Sequence, residues 1–348
     1  MSHIFGQITG WGAYVPERII TNQELESRLN TNHEWIVQRT GIHQRHAAAA
    51  HETTSSMATE AGRRALTRAN LQPTDLDLIV LGTSTPDHFV APAPSSQVQH
   101  ALGAPNVPAF TITTGCTGFV YALTTAHQFI QSGAYRTILV IGAELLTRLI
   151  NWEDRATAVL FGDGAGAVVL QATNKPCGLE SFVLGSNGAL GKHLCFPAGG
   201  IAEPLTPQAL AEGRQYLQMN GHEVFRFAST VMVRSSREAL TQAGMGFADV
   251  DWVIPHQANE RIIRAAAREM DISLEQFIIN IDRYANTSAA SIPIALCEGL
   301  DCGRIQPQHK LLMTSFGSGL TWATCVWQIA PVLTSIPRYT DLLSEITA

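Results

Sequence analysis

The feature that most constrains the fold is an internal repeat at half the length of the chain. Residues 65–80 (ALTRANLQPTDLDLIV) and 239–254 (ALTQAGMGFADVDWVI) match at six positions, all 174 residues apart in a chain of 348. Self-similarity at a fixed spacing is typical of duplicated architectures. No low-complexity segment divides the chain. We therefore predict two related halves, residues 1–172 and 173–348.

Each half alternates short apolar runs with amphipathic stretches. Runs typical of buried strands lie at 78–82, 109–113, 136–142 and 165–170, and in the second half at 252–255, 277–281, 310–315 and 321–329. Helical stretches lie at 117–131, 223–243, 260–270 and 291–299. This order predicts mostly parallel sheets covered by helices. A duplicated chain of this kind can stack two sheets with helices between them.

Composition and charge exclude several functions. The net charge is −6 and no long run of Lys or Arg occurs, whereas nucleic-acid binding requires clustered positive charge. No apolar run approaches the roughly 20 residues of a membrane span, and the N-terminus lacks the pattern of a signal peptide. We expect a cytoplasmic protein that binds neither nucleic acid nor membrane. The six cysteines form no CxxC pair, so we expect no metal site.

Cys116 is the residue best placed for nucleophilic chemistry. It follows a β-rich run and precedes an amphipathic helix, in ITTGCTGFVYAL. The positive end of a helix lowers the pKa of a thiol and favours the thiolate, which is the nucleophile. Gly115 and Gly118 allow close approach of a substrate. The residues alone leave open the alternative of a small side chain that fills a strand–helix junction.

Two polar residues follow predicted strands in the second half. His256 comes directly after 252–255, and Asn286 follows 277–281. Ligands of open α/β sheets gather at the carboxyl ends of strands, where such donors suit binding of a thioester carbonyl oxygen. A structural histidine and a helix-capping asparagine remain the alternatives. The glycine-rich segment 316–319 lacks the lysine of a P-loop.

Six segments in order resemble the β-ketoacyl-acyl-carrier-protein synthase III family. They are EWIVQRTGI (34–42), TTGCTGF (113–119), DRATAVLFGDGAGAVVL (154–170), PHQANERI (255–262), YANTSAASIPIAL (284–296) and SFGSGLTWA (315–323). The resemblance extends from residue 8 to residue 328. It implies an α/β thiolase-like fold, in which two duplicated β-α-β halves form a layered α-β-α-β-α sandwich.

The resemblance also implies an activity and a catalytic triad of Cys116, His256 and Asn286. Cys116 takes an acyl group from acyl-CoA, and malonyl-ACP then replaces CoA. His256 and Asn286 stabilise the enolate that decarboxylation creates, and the product is a 3-oxoacyl-ACP. This is covalent, ping-pong catalysis that starts fatty acid biosynthesis. The family's oxyanion hole corresponds to the backbone N–H groups of Cys116 and Ser318.

The same resemblance assigns binding residues. It places CoA contacts at Trp35, Arg39, Arg155 and Asn259, and contacts with the acyl carrier protein at Gln257, Ala258, Asn259, Glu260 and Arg261. It implies a homodimer that uses no cofactor. From the residues alone, we would instead interpret Trp35 as a core residue and Arg39 and Arg155 as surface residues.

Three positions depart from the family pattern. Ser318 and Ala285 stand where the family often has glycine, and we expect the Ala285 change to be mild. In the loop 85–97, Val90 or Ala91 stands where many relatives close the acyl pocket with Phe, which predicts a longer or branched primer. Two alternatives stay open: a related condensing enzyme of secondary metabolism with another acyl donor or acceptor, and an acyltransferase that forms no carbon–carbon bond.

Overall fold

The computed structural model describes residues 4–331, so the end of the second predicted half lies outside the described residues. The strands are β1 (Phe5–Tyr14), β2 (Arg18–Thr21), β3 (Gln44–Ala47), β4 (Leu78–Gly82), β5 (Ala109–Ile112), β6 (Thr137–Glu144), β7 (Gly164–Thr173), β8 (Gly178–Ser186), β9 (Leu194–Cys195), β10 (Gln218–Met219), β11 (Trp252–Pro255), β12 (Lys310–Gly317) and β13 (Thr321–Gln328). The helices are α1 (Asn22–Glu26), α2 (His33–Thr40), α3 (Thr54–Arg68), α4 (Pro94–Leu102), α5 (Gly118–Gln131), α6 (Arg155–Ala158), α7 (Pro207–Ala211), α8 (Gly221–Gln242), α9 (Glu260–Met270), α10 (Ile281–Tyr284) and α11 (Ser291–Asp301).

Two sheets repeat one topology. The first has the order β1-β7-β6-β4-β5, and the second, read from its other end, has the order β8-β13-β12-β11. Each strand of the second sheet thus has a counterpart in the first. At the position of β5, the described part of the second sheet has one isolated bridge, between Val253 and Phe277. The duplication is visible in the structure. The predicted boundary between the halves at 172/173 stays a prediction, and it falls near the end of strand β7.

The aspartates that recur in the internal repeat make the same backbone contacts in both halves. Asp75 accepts a hydrogen bond from the backbone N–H of Gln72 at 2.7 Å, and Asp249 accepts one from Gly246 at 2.8 Å. In both halves the carboxylate closes a single 3-10 turn, which leads directly into a buried strand. The carboxylate does so because it satisfies a backbone donor that the turn leaves free.

The second pair of aspartates joins neighbouring strands. The carboxylate of Asp77 accepts from the N–H of Thr137 at 2.9 Å, and that of Asp251 accepts from Lys310 at 2.7 Å. Each aspartate also donates its own N–H to the carbonyl of that same residue. These contacts fix the starts of β4 and β11 against the starts of β6 and β12.

The core is layered. Helices α5 and α11 lie between the sheets, where Phe119, Leu123 and Ile292 share one cluster with Val140 of the first sheet and Met313 of the second. Strand residues that point the other way pack on outer helices, α3 and α4 over the first sheet and α8 and α9 over the second. The predicted α-β-α-β-α sandwich is confirmed.

Two secondary-structure predictions are wrong. The sheets are mixed, because β7 and β13 run antiparallel to both of their neighbours. Residues 277–281 do not form a strand, and Ile281 begins α10. The side chain of Gln257 replaces a neighbouring strand there: it donates to the carbonyl of Ile278 at 3.2 Å and accepts from the N–H of Asn280 at 3.1 Å.

Candidate active site

Cys116 lies where two chain segments approach closely. Gly115 has φ +64, and a Cβ there would lie 2.7 Å from the backbone nitrogen of Ser318. A Cβ at Gly317 would collide with the backbone nitrogen of Cys116. Only glycine fits both positions, and the approach brings Cys116 and Ser318 together in the lining of one cleft.

That cleft contains the three residues predicted to form the triad. Cys116, His256 and Asn286 line a single cleft with about 870 Å³ of empty volume. Its wall is mostly apolar and includes the side chains of Leu146, Phe161, Leu194, Leu217, Met219 and Phe316. A mostly apolar pocket with a few convergent polar groups is typical of a small-molecule site.

His256 follows β11 and is 2% exposed. Its backbone N–H donates to the carbonyl of Thr314 at 2.8 Å, and its ring meets Phe316 edge-on with centroids 5.4 Å apart. Within residues 4–331, Nδ1 has no hydrogen-bond partner. Burial lowers the pKa of His256 to about 3, so the imidazole is neutral and suits donation to a substrate oxygen.

Asn286 is held by its own side-chain oxygen. Oδ1 accepts from the N–H of Ser288 at 2.8 Å, and the backbone N–H of Asn286 donates to Leu160 at 2.9 Å. The amide NH₂ end is therefore the end left for a ligand. Ala285 just before it has φ +57 and ψ −155, a region that glycine prefers. The expectation of a mild change is corrected, because the Ala285 side chain strains the backbone.

The environment of Cys116 differs from the sequence prediction. Burial raises the pKa of the Cys116 thiol to about 12, and a hydrogen bond from Ser288 partly opposes this. The helix N-terminus was expected to lower the pKa, but desolvation outweighs it. The raised pKa favours the protonated thiol in the resting cleft, where Cys116 is half-buried.

Sequence reasoning missed two residues behind Cys116. Glu144 ends β6 and is fully buried, and the hydroxyl of Ser288 lies 3.1 Å from Oε1 of Glu144. Burial raises the pKa of Glu144 to about 7, against hydrogen bonds that lower it. The available signal was a lone carboxylate at the end of the otherwise apolar run 137–146.

Next to Asn259, which lines the cleft, three of the predicted CoA residues come together. The guanidinium of Arg155 lies 4.7 Å and that of Arg39 lies 6.0 Å from the ring centre of Trp35. Asn259 lines the cleft and donates to the carbonyl of Arg39 at 3.1 Å. One aromatic ring and two cations thus form a single patch beside the opening.

The predicted carrier-protein residues do not share one surface. Gln257 is 1% exposed and both ends of its amide bind backbone groups, so it cannot reach a docked protein and that prediction is corrected. Ala258 lines the cleft. Glu260 pairs with Arg264 at 2.9 Å, and the exposed Arg261 lies over Phe225.

Val90 and Ala91 do not line the cleft of their own chain. Val90 is 74% exposed, and Ala91 is exposed as well. A role in the acyl pocket therefore requires a second copy of the chain.

Among residues 4–331, none of the helices combines the length and the apolarity that a bilayer crossing requires.

The fold consists of two stacked sheets around a pair of central helices. The site combines a cysteine before one of these helices with a histidine and an asparagine in the same cleft. Together they define a condensing enzyme of the thiolase fold. Family models described as 3-oxoacyl-ACP synthase III and its C-terminal part match residues 110–188 and 240–329. The β-ketoacyl-ACP synthase III of Roseiflexus castenholzii is 49% identical over 92% of this chain and 97% of its own length. The chain belongs to the β-ketoacyl-ACP synthase III family.

Solved structures agree with this assignment. The β-ketoacyl-ACP synthase III of Thermus thermophilus is 42% identical, covers 94% of this chain and 100% of its own, and superposes with a TM-score of 0.87. The priming β-ketosynthase of the R1128 polyketide biosynthetic pathway is 32% identical, with a TM-score of 0.87 over 94% of this chain and 97% of its own.

Proposed function

We propose that this chain joins an acyl-CoA primer to malonyl-ACP in a decarboxylative Claisen condensation, which yields 3-oxoacyl-ACP and initiates fatty acid biosynthesis. The observation that carries the proposal is the convergence of Cys116, His256 and Asn286 on one cleft. It occurs in a chain 49% identical to a β-ketoacyl-ACP synthase III over nearly its whole length.

In the first half-reaction the sulfur of Cys116 attacks the carbonyl carbon of acyl-CoA. A new C–S bond forms, and the C–S bond to CoA breaks as CoA leaves as a thiol. The carbonyl oxygen becomes negative on the way, and the N–H groups of Cys116 and Ser318 stabilise it. The glycines at 115 and 317 support this role, because they let the two N–H groups approach.

In the second half-reaction malonyl-ACP loses CO₂ and forms an enolate. The neutral imidazole of His256 and the amide NH₂ of Asn286 donate to the enolate oxygen. The carbanion attacks the acyl thioester on Cys116 and releases the thiolate. A carboxylate in place of either donor would repel the enolate. Thiol, imidazole and amide supply this chemistry, so no step is assigned to a metal or a cofactor.

The mouth of the cleft suits CoA. The ring of Trp35 offers a stacking surface for adenine, and Arg39 and Arg155 offer cations for its phosphates. Both arginines lie against Trp35 now, so an adenine must displace them. Asn259 lies between this patch and the cleft, where the pantetheine arm passes. The exposed arginines of α9, at 261, 264 and 268, suit an acidic carrier protein.

We also assign a cytoplasmic homodimer to this chain. Strand β5 lies at the edge of its sheet and is half-buried, and an uncovered edge strand offers pairing to another chain. A second copy would bring Val90 and Ala91 to a neighbouring cleft. A single-chain mass in solution, measured by light scattering at micromolar concentration, would contradict the dimer.

The test is a reconstituted condensation with purified components. The protein is given a panel of acyl-CoA primers and either malonyl-ACP or malonyl-CoA, and the products are identified by mass spectrometry. We expect 3-oxoacyl-ACP, with malonyl-CoA a poor substitute. Equal use of malonyl-CoA would favour the second candidate, a priming enzyme of secondary metabolism, which the similarity to the R1128 ketosynthase supports.

A further inference from the structure

Glu144 is a buried carboxylate that the two half-reactions leave without a task. It ends the central strand β6 and has no exposed surface. Three donors come from one segment at the end of β4: the hydroxyl of Thr85 at 2.7 Å, the hydroxyl of Thr83 at 3.2 Å and the backbone N–H of Ser84 at 3.0 Å. This segment holds the carboxylate in one orientation, close behind the cleft that Ser84 lines.

Its fourth partner connects Glu144 to the nucleophile. The hydroxyl of Ser288 donates to Oε1 of Glu144 at 3.1 Å. Ser288 also lines the same cleft as Cys116, and its side chain is close enough to lower the pKa of the thiol. A serine hydroxyl has one proton and can donate to only one of these two groups at a time. Ser288 is held for this position, because its N–H binds Asn286 and its φ is +49.

We infer that Glu144 receives the proton of the Cys116 thiol through the hydroxyl of Ser288 when Cys116 is acylated. In the resting state the thiol donates to Oγ of Ser288, and Ser288 donates to the carboxylate. In the reactive state two protons have moved. The proton of the Cys116 thiol is now on the oxygen of Ser288, and the proton that Ser288 carried before is now bound to the carboxylate of Glu144. Glu144 then donates to Ser288, and Ser288 donates to the thiolate.

The relay addresses the main difficulty of this cleft. The surroundings of the half-buried Cys116 disfavour the charged thiolate, so release of its proton to water would leave a new uncompensated charge in the cleft. In the relay the negative charge only moves from Glu144 to Cys116, and every group keeps a hydrogen-bond partner in both states. As the C–S bond to CoA breaks, the hydroxyl of Ser288 gives its proton to the CoA sulfur and takes the proton of Glu144, so CoA leaves as a thiol and the carboxylate is restored.

Few other titratable groups face Glu144. Within residues 4–331, Cys116 is the titratable group whose charge interacts with Glu144, and the hydrogen-bond partners of Glu144 are hydroxyls and a backbone N–H that do not titrate near neutral pH. Asp163 lies just before the paired strand β7, but its carboxylate binds Thr147 and Ala48 instead. Asp163 is equally buried and therefore offers a matched control.

The inference rests on Cys116 as the acylated nucleophile, but its test requires no acyl-CoA or ACP. The rate of Cys116 alkylation by iodoacetamide is measured from pH 5 to 10 for the wild type and for Glu144→Gln, Ser288→Ala and Asp163→Asn. The site of alkylation is confirmed by peptide mass spectrometry. A failure here leaves the condensation assay unaffected, so the two proposals fail separately.

For the wild type we expect a rate that rises through an inflection near pH 7 and then levels off, because burial places the pKa of Glu144 at about 7. Glu144→Gln and Ser288→Ala should lose this inflection, react at least about 10-fold more slowly at pH 7 and accelerate only at higher pH. Asp163→Asn should keep the wild-type profile, whatever its stability.

The opposite result has a clear physical meaning. If Glu144 acts only by charge repulsion, its removal lowers the pKa of Cys116, and Glu144→Gln reacts as fast as the wild type or faster at pH 7. That outcome, or loss of the inflection in Asp163→Asn as well, overturns the relay. If Glu144→Gln does not fold, Glu144→Asp takes its place. We then expect Glu144→Asp to show the inflection and Ser288→Ala to lack it. The same pH profile in both variants would overturn the inference.

Discussion

The two halves of the molecule place a helix N-terminus at the same point of the fold and use it differently. In the first half α5 follows β5 and carries Cys116 just before it; in the second half α11 follows the single bridge at Phe277 and carries Asn286 and Ser288 just before it. The two N-termini meet, since a Cβ at Gly118 would lie 3.3 Å from that of Ala289.

The difference lies in what surrounds each helix start. The first is preceded by a regular parallel strand, and the second by the short helix α10 and by two non-glycine residues with positive φ, Ala285 and Ser288. The second copy has thus exchanged a strand for an irregular segment. This irregular segment places Asn286 and Ser288 in the same cleft as Cys116 of the first copy, so one duplicated frame supplies both a nucleophile and its partners.

The largest expected effect is that a change at the second helix start slows the condensation step but not the acylation step. We expect Asn286→Ala to lower kcat of the condensation by about 10²–10³-fold, as loss of an oxyanion donor does, while Cys116 still takes up the acyl group. Single-turnover acylation and steady-state condensation are measured side by side. Equal loss in both steps would show that the two helix starts do not divide the work.

The next effect concerns a contact that joins the halves. Nε2 of the buried His127 on α5 accepts from the N–H of Gly6 in β1 at 3.2 Å and from that of Leu179 in β8 at 3.3 Å. Burial lowers the pKa of His127 to about 4. Between pH 6.5 and 4 the unfolded chain therefore binds a proton that the folded protein does not, so stability falls as the pH falls.

Denaturant unfolding at pH 7 and pH 4 measures this effect. From pH 7 to pH 4, the free energy of unfolding of the wild type should fall by about 3 kcal/mol more than that of His127→Gln. The glutamine keeps a hydrogen-bond acceptor but does not titrate. Comparison with the variant is required because His256 acts in the same direction and Glu144, whose pKa is raised, in the opposite one. Identical pH dependence of the two proteins would mean that His127 is not buried in neutral form.

A smaller effect tests the contact of the second helix start with the first sheet. A Cβ at Gly142 of β6 would collide with the carbonyl oxygen of Ala289 and lie 3.1 Å from Phe119. We expect Gly142→Ala to cost about 1–3 kcal/mol of stability, the usual cost of overpacking. Gly188→Ala is the control, since no other atom of residues 4–331 lies within 4 Å of a Cβ at that position. Equal thermal midpoints for both variants would contradict the contact.

The smallest effect sharpens the comparison of the repeated aspartates. Asp77 accepts two backbone hydrogen bonds and is partly buried, whereas Asp251 accepts one and is exposed. We expect Asp77→Ala to cost about 1–2 kcal/mol and Asp251→Ala no more than about 1 kcal/mol. Urea unfolding of both variants checks the order, and a larger cost at Asp251 would reverse it.

The sequence predicted the frame better than the chemistry around it. The repeat predicted duplicated halves because Asp75, Asp77 and their counterparts make local contacts that require the same residue twice. Periodicity gave α9 and β11 with their observed ends. Residues 277–281 were misassigned because a β-like apolar run is paired there by the side chain of Gln257, a long-range contact that no local pattern contains.

For the site, the resemblance supplied Cys116, His256 and Asn286, and the fold brings them to one cleft. The sequence did not predict the protonation of the thiol, because the raised pKa depends on burial by residues from both halves. Glu144 and Ser288 were missed for the same reason: they are 144 positions apart in sequence. The exposure of Val90 and Ala91 depends on whether a second chain is present.

The most direct test of the account is the mass of the intact protein after incubation with acyl-CoA, first alone and then with malonyl-ACP. We predict that the wild type gains one acyl group on Cys116 and loses it when malonyl-ACP is added, as 3-oxoacyl-ACP appears, while Cys116→Ala gains none and Cys195→Ala behaves as the wild type. An unacylated Cys116, or an acyl group that malonyl-ACP never discharges, would contradict the division of work between the two helix starts.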